Sequence, residues 1–84
     1  MRPTVTLYTK PGCHLCEPVA ATIAAAAEVR SFRSLVRNIL DDPDDFVKYR
    51  HAIPVVTVDG AEVARYRLTL PQLLAAIDGA AAAG

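Results

Sequence analysis

The part of the sequence best suited to chemistry is a pair of cysteines separated by two residues. Cys13 and Cys16 stand in the segment KPGCHLC, which covers residues 10–16 and follows a predicted strand. The unpaired N–H groups and the positive dipole end of a helix stabilise a thiolate. Because a helix is predicted to start near Cys13, we expect Cys13 to be a nucleophile. Cys16, within the first helical turn, would reach Cys13 to form a disulfide and would be the less exposed of the two.

Two other uses of the cysteine pair stay open. A zinc site needs about four ligands, and the histidines that could join the cysteines are His14 and His51. His14 lies between the cysteines, where its ring is poorly placed to converge on the same metal. The other interpretation is a pair of inert core cysteines, although a turn with proline and glycine at a helix start is not where a core packs. A redox dithiol is favoured over both, and no metal site is predicted.

Three polar residues, Lys10 and His14 beside the pair and His51 near Pro54, need a functional and an ordinary interpretation. Lys10 lies three residues before Cys13, where it could stabilise the thiolate or hold a substrate carboxylate, or be an exposed turn residue. His14 could add positive charge when protonated, or be an exposed first-turn residue. His51 is expected to be a surface residue.

Hydrophobic periodicity predicts an α/β domain with the element order β-α-β-α-β-β-α. The predicted strands cover residues 4–9, 32–39, 55–58 and 61–66, with Asp59-Gly60 as the hairpin turn. The predicted helices run from residue 13 or 15 to 28, from 42 or 43 to about 50, and from 70 to 77 or 78. Thr69 and Gln72 are predicted to form a capping box for the last helix. Gly79 is predicted to stop that helix and to leave residues 79–84 as a frayed tail.

Composition narrows the class of protein further. A chain of 84 residues has room for one domain, and 52% hydrophobic with 21% charged residues is ordinary globular composition. Nine basic and nine acidic residues give no net charge, so neither nucleic acid nor an anionic membrane is an expected partner. No apolar run reaches the roughly 18 to 20 residues of a membrane span, and no signal peptide is recognised. Two cysteines are too few for a secreted disulfide scaffold, so we expect a cytoplasmic protein.

Three separated features give the chain a resemblance to a known family. They are the strand followed by TKPGCHLC, the step Ile53-Pro54 before a strand, and the VDG hairpin. With them, nearly the whole chain resembles the glutaredoxin-like branch of the thioredoxin fold. The resemblance implies a single domain over residues 1–84, with a four-stranded mixed sheet in the order 2-1-3-4 flanked by three helices.

The resemblance also implies roles for individual residues. Cys13 matches the nucleophilic cysteine of the family and Cys16 its resolving cysteine. Pro54 matches the cis-proline that faces them, and Ile53 would offer main-chain groups to a bound peptide or to glutathione. Lys10 matches a lysine that often helps to bind glutathione.

The sequence departs from the family in two places. Glutaredoxins usually carry Gly-Gly and an acidic residue after the hairpin, whereas residues 63–69 read VARYRLT. The dipeptide His-Leu between the cysteines is neither the Pro-Tyr common in glutaredoxins nor the Gly-Pro common in thioredoxins. Residue Leu7 stands where thioredoxins have a buried acid, which favours the glutaredoxin-like branch.

These observations together predict a thiol–disulfide oxidoreductase that reduces disulfides through Cys13 and Cys16, with Lys10, Ile53 and Pro54 binding substrate. We expect a monomer that needs no metal or organic cofactor, with glutathione as a candidate reductant. Its expected partners are disulfide-containing proteins or small molecules. The alternative is a thioredoxin-fold binding module, or a redox-regulated partner, whose cysteines are not catalytic.

Overall fold

The strands and helices follow in the order that the periodicity predicts. The computed structural model describes residues 2–83. Within them lie β1 (Thr4–Thr9), α1 (Cys16–Ala27), β2 (Arg33–Asn38), α2 (Pro43–Tyr49), β3 (Val55–Val58), β4 (Ala61–Arg65) and α3 (Leu70–Ala83), with a short 3-10 turn at Ile39–Asp41. The predicted element order is therefore confirmed.

The four strands form one mixed sheet in the order β2-β1-β3-β4. Strand β1 pairs in parallel with β2 and antiparallel with β3, and β3 pairs antiparallel with β4. The hairpin turns at Asp59 and Gly60, which both have positive φ angles, of 50° and 84°, as a tight two-residue hairpin requires. Asp59 also accepts a hydrogen bond from the Thr4 N–H at 2.8 Å, which ties the turn to the start of β1.

The core lies on both faces of the sheet, because successive residues of a strand point to opposite sides. Val56 and Val58 belong to the larger cluster, together with buried residues of α1 and α3. Val55 belongs to a smaller cluster that contains Tyr49 of α2. All four residues of β3 are buried, which explains why its sequence VVTV is a run of β-branched residues without an exposed charged or strongly polar position.

Two caps match the sequence prediction. Thr69 and Gln72 form a reciprocal capping box, in which the Gln72 N–H donates to the Thr69 hydroxyl at 3.2 Å and the Thr69 N–H to the Gln72 side chain at 3.4 Å. The Asp42 carboxylate caps α2 by accepting from the Asp44 N–H at 2.8 Å. The acidic segment before α2 thus serves as a helix start.

The predicted end of the last helix was wrong. Helix α3 continues through Gly79 to Ala83, so residues 79–83 of the predicted frayed tail are helical, and Gly84 lies outside the described residues. A glycine inside a helix costs only about 1 kcal/mol relative to alanine. Alanines, the best helix formers, follow Gly79 at residues 80–83, and Ala80 packs against the larger core cluster, so the helix continues. None of the helices within residues 2–83 is long and apolar enough to cross a membrane.

Candidate active site

The two cysteines form a disulfide in the segment that joins β1 to α1. Their Cα atoms lie 5.4 Å apart. Cys16 is the first residue of α1 and is only 7% exposed, whereas Cys13 precedes the helix and is partly exposed. The pair is therefore asymmetric, because Cys13 is more accessible to solvent than Cys16.

A tight turn between Lys10 and Cys13 places the disulfide beyond the end of β1. The Cys13 N–H donates to the Lys10 carbonyl at 3.3 Å, and Gly12 has a φ angle of 80°. Proline at the second position and a positive φ at the third are the features of a type II turn. A side chain at Gly12 would be strained in this conformation, so the KPG sequence has a direct structural purpose.

The start of α1 differs slightly from the prediction. The helix begins at Cys16, while the N–H groups of Cys16 and Glu17 donate to the carbonyls of Cys13 and His14, each at 3.3 Å. Within residues 2–83, the N–H groups of His14 and Leu15 donate to no acceptor. These amides directly follow Cys13 in the chain. Unpaired amides at a helix start favour a nearby anion, which suits a thiolate at Cys13.

The residues predicted to bind substrate lie at the same end of the sheet as the disulfide. Tyr8 of β1 pairs with Val55 of β3 in an antiparallel register, so Pro54, just before β3, is level with the end of β1 that leads to Cys13. Pro54 is buried, and the Ile53-Pro54 peptide bond is cis. Lys10 is exposed in the turn before Cys13.

Ile53 keeps one of the two main-chain groups that the sequence assigned to substrate. Its N–H donates to the Tyr49 carbonyl at 3.2 Å, which continues the hydrogen bonding of α2 by one step. No hydrogen bond within residues 2–83 uses the Ile53 carbonyl. Only the carbonyl is therefore free to contact a substrate main chain.

Sequence reasoning missed Tyr66, which follows the last residue of β4. Its N–H donates to the Pro54 carbonyl at 2.8 Å and its hydroxyl to the His51 carbonyl at 2.6 Å. Its φ angle is 66°, in the left-handed region, where a residue other than glycine pays about 1–2 kcal/mol. The departure from Gly-Gly in residues 63–69 was the one signal in the sequence that this position is unusual.

The charged groups on β4 are paired with each other. Arg65 makes two hydrogen bonds to the Glu62 carboxylate, at 2.7 and 3.1 Å. The hydrogen bond from Arg65 lowers the pKa of the Glu62 carboxyl. Arg65 is thus already bound to the Glu62 carboxylate, so it is less available to bind a carboxylate of a substrate.

The histidines lie apart from any assembled ligand set. His14 and His51 are both exposed. Among residues 2–83, no three or more histidines, cysteines, aspartates and glutamates form a group that could hold a metal ion. The cysteines of this structure are used in the disulfide.

A mixed sheet in the order β2-β1-β3-β4 with three helices and a Cys-X-X-Cys pair between β1 and α1 defines a protein of the thioredoxin fold. Residues 4–78 match the model of the glutaredoxin-like domain family (DUF836). The chain belongs to that family, as the sequence resemblance predicted.

Several solved structures share the fold. The solution structure of protein Ne2328 from Nitrosomonas europaea has a TM-score of 0.80 at 24% identity, covering 92% of this chain and 93% of that one. The X-ray structure of protein XcR50 from X. campestris has a TM-score of 0.71 at 28% identity, covering 89% and 96% of the two chains. Thioredoxin from Fasciola hepatica shares the fold, with a TM-score of 0.59 at 24% identity, over 93% and 80%. No curated protein matches the chain significantly.

Proposed function

We propose that the protein is a thiol–disulfide oxidoreductase that reduces disulfides through Cys13 and Cys16. The observation that carries this proposal is the disulfide between a partly exposed Cys13 and a 7% exposed Cys16 at the start of α1. A structural disulfide gains nothing from one accessible cysteine, whereas a nucleophile must be reached by its substrate. The free amides that follow Cys13 support the same role for this residue.

The reaction consists of two thiolate attacks. The Cys13 thiolate attacks one sulfur of the substrate disulfide, and the other substrate sulfur leaves as a thiolate and takes up a proton. The Cys16 thiol loses its proton and attacks the Cys13 sulfur of the resulting mixed disulfide, which releases the second substrate thiol. The substrate gains two electrons and two protons, and the protein is left as the Cys13–Cys16 disulfide. A thiol reductant, either a dithiol or glutathione, returns it to the reduced form.

Substrate binding is assigned to the residues at this end of the sheet. The Ile53 carbonyl accepts an N–H from the substrate main chain next to the attacked sulfur, and Pro54 is the buried residue that directly follows it. Lys10 attracts a substrate carboxylate. These roles extend the sequence prediction, with the change that the Ile53 N–H is occupied by the Tyr49 carbonyl. We propose a monomer that works in a reducing compartment such as the cytoplasm.

The accessible cysteine should be the more reactive one. In the reduced protein near neutral pH, we expect iodoacetamide to label Cys13 at least about tenfold faster than Cys16, because a helix start stabilises a nearby thiolate and Cys16 is only 7% exposed. Peptide mapping by mass spectrometry gives both rates, and heat-denatured protein is the control, in which the difference should disappear. Equal rates in the folded protein would contradict the assigned roles.

Reduction of a peptide disulfide is the direct test of the proposed function. Reduced protein mixed with such a peptide should release two peptide thiols for each Cys13–Cys16 disulfide formed, and a regenerating dithiol should sustain repeated turnover. A non-catalytic binding module, the other function considered for this fold, would release none above the rate of the dithiol alone.

Glutathione is expected to be a poor reductant for this protein. Residues 63–69, which follow the hairpin turn, contain no acid to pair with the ammonium group of glutathione, and Arg65 is already bound to Glu62. A lost charge-assisted hydrogen bond lowers affinity by about ten- to a hundredfold. We therefore expect glutathione-coupled turnover to fall short of that of a dedicated glutaredoxin by about the same factor, when both are assayed side by side. Equal deglutathionylation rates would refute this expectation, while dithiol-driven turnover serves as the control.

A further inference from the structure

Tyr66 connects the end of β4 to the segment that precedes β3. Its N–H donates to the Pro54 carbonyl at 2.8 Å, and its hydroxyl donates to the His51 carbonyl at 2.6 Å. These acceptors stand at the two ends of residues 51–54. A single residue therefore holds both ends of the segment that contains Ile53.

The side chain of Tyr66 does little else in the fold. It is 47% exposed and belongs to neither core cluster. Its φ angle of 66° is one that glycine adopts far more readily. The hydrogen bond of the hydroxyl group is therefore the contribution that tyrosine makes at this position and that glycine could not make.

We propose that Tyr66 is a positioning residue, which holds residues 51–54 so that the Ile53 carbonyl keeps a constant place at the end of the sheet that carries Cys13. This inference rests on the proposed oxidoreductase function and narrows its substrate class. The favoured substrates are polypeptide disulfides, because their main chain supplies the N–H that the Ile53 carbonyl accepts. A small disulfide without amide groups makes no such contact and gains nothing from Tyr66.

Substrate kinetics can separate this role from simple structural support. Tyr66→Phe removes the hydroxyl and keeps the ring, and Tyr66→Gly removes the whole side chain while allowing the positive φ angle. Tyr8→Phe is the matched control, since it removes a phenolic hydroxyl from β1. Each variant is assayed with a disulfide-bonded peptide and with hydroxyethyl disulfide, which has no amide.

For the peptide we expect both Tyr66 variants to raise KM by about two- to tenfold, the range that corresponds to one neutral hydrogen bond, with kcat within about twofold of the unmodified protein. For hydroxyethyl disulfide we expect no change in either constant. Tyr8→Phe should leave all four constants unchanged. An unchanged peptide KM in both Tyr66 variants, or an equal rise for the two substrates, would overturn the proposed role.

Hydrogen exchange gives a readout that does not depend on activity. The N–H groups of Ala52 and Ile53 both donate to the Tyr49 carbonyl, at 2.8 and 3.2 Å, and should exchange faster in Tyr66→Phe than in Tyr8→Phe. Unchanged exchange would show that Tyr66 does not hold the segment and would overturn the inference. If the unmodified protein reduced neither disulfide, the proposed function would fail and the substrate class with it, while faster exchange would still support the holding of residues 51–54 by Tyr66.

Discussion

Cys16→Ser is expected to trap substrate on the protein. The Cys13 thiolate can still attack a disulfide, but no second thiol is present to release the product. After exposure to a peptide disulfide, intact mass spectrometry should show a one-to-one mixed disulfide at Cys13 that dithiothreitol removes. Dithiol turnover should fall to the background rate.

Cys13→Ser is the matched variant for this experiment and should behave differently. With the nucleophile gone, we expect a loss of turnover of more than about a thousandfold and no mixed disulfide, since the remaining Cys16 is only 7% exposed. If Cys13→Ser formed the adduct as fast as Cys16→Ser does, the two roles would have to be exchanged. If neither variant formed an adduct while the unmodified protein turned over, the reaction would not proceed through a mixed disulfide.

The largest expected effect on stability comes from Leu73→Ala. Leu73 of α3 is fully buried in the larger core cluster, and the substitution leaves a cavity in addition to removing apolar contacts. Such changes cost about 3–5 kcal/mol, out of the roughly 4–12 kcal/mol that holds a domain of 84 residues together. Urea unfolding of the oxidised protein, with the disulfide kept intact throughout, measures the difference in the free energy of unfolding.

Leu40→Ala is the control for the stability prediction. Leu40 is 56% exposed, so its loss should change the free energy of unfolding by no more than about 0.5 kcal/mol. A loss below about 1 kcal/mol for Leu73→Ala would mean that α3 does not pack on the sheet as described. The comparison of Leu73→Ala with Leu40→Ala also tests the support of the active site. Helix α1, which carries Cys16, packs with α3 in the same cluster.

Much of this protein follows from patterns that span only a few residues. The alternation in residues 4–9 and the Asp59-Gly60 turn are local, and the structure has the same strand Thr4–Thr9 and the same hairpin. The capping box of Thr69 and Gln72 is also local. The Cys-X-X-Cys spacing allows the two sulfurs to bond, because a single turn, closed by the hydrogen bond from the Cys16 N–H to the Cys13 carbonyl, brings residues three apart together. The family resemblance supplied the strand order, which these local patterns do not contain.

Other features were decided only when distant residues met. The end of α3 was misplaced because its continuation past Gly79 involves the packing of Ala80 on the core, which no pattern in residues 79–84 expresses. The left-handed Tyr66 and its bond to His51, 15 residues earlier in the chain, exist only once β3 and β4 have paired. Local sequence determines which backbone conformations have a low free energy. Long-range hydrogen bonds and packing determine which of the less favourable conformations are stabilised in the folded protein.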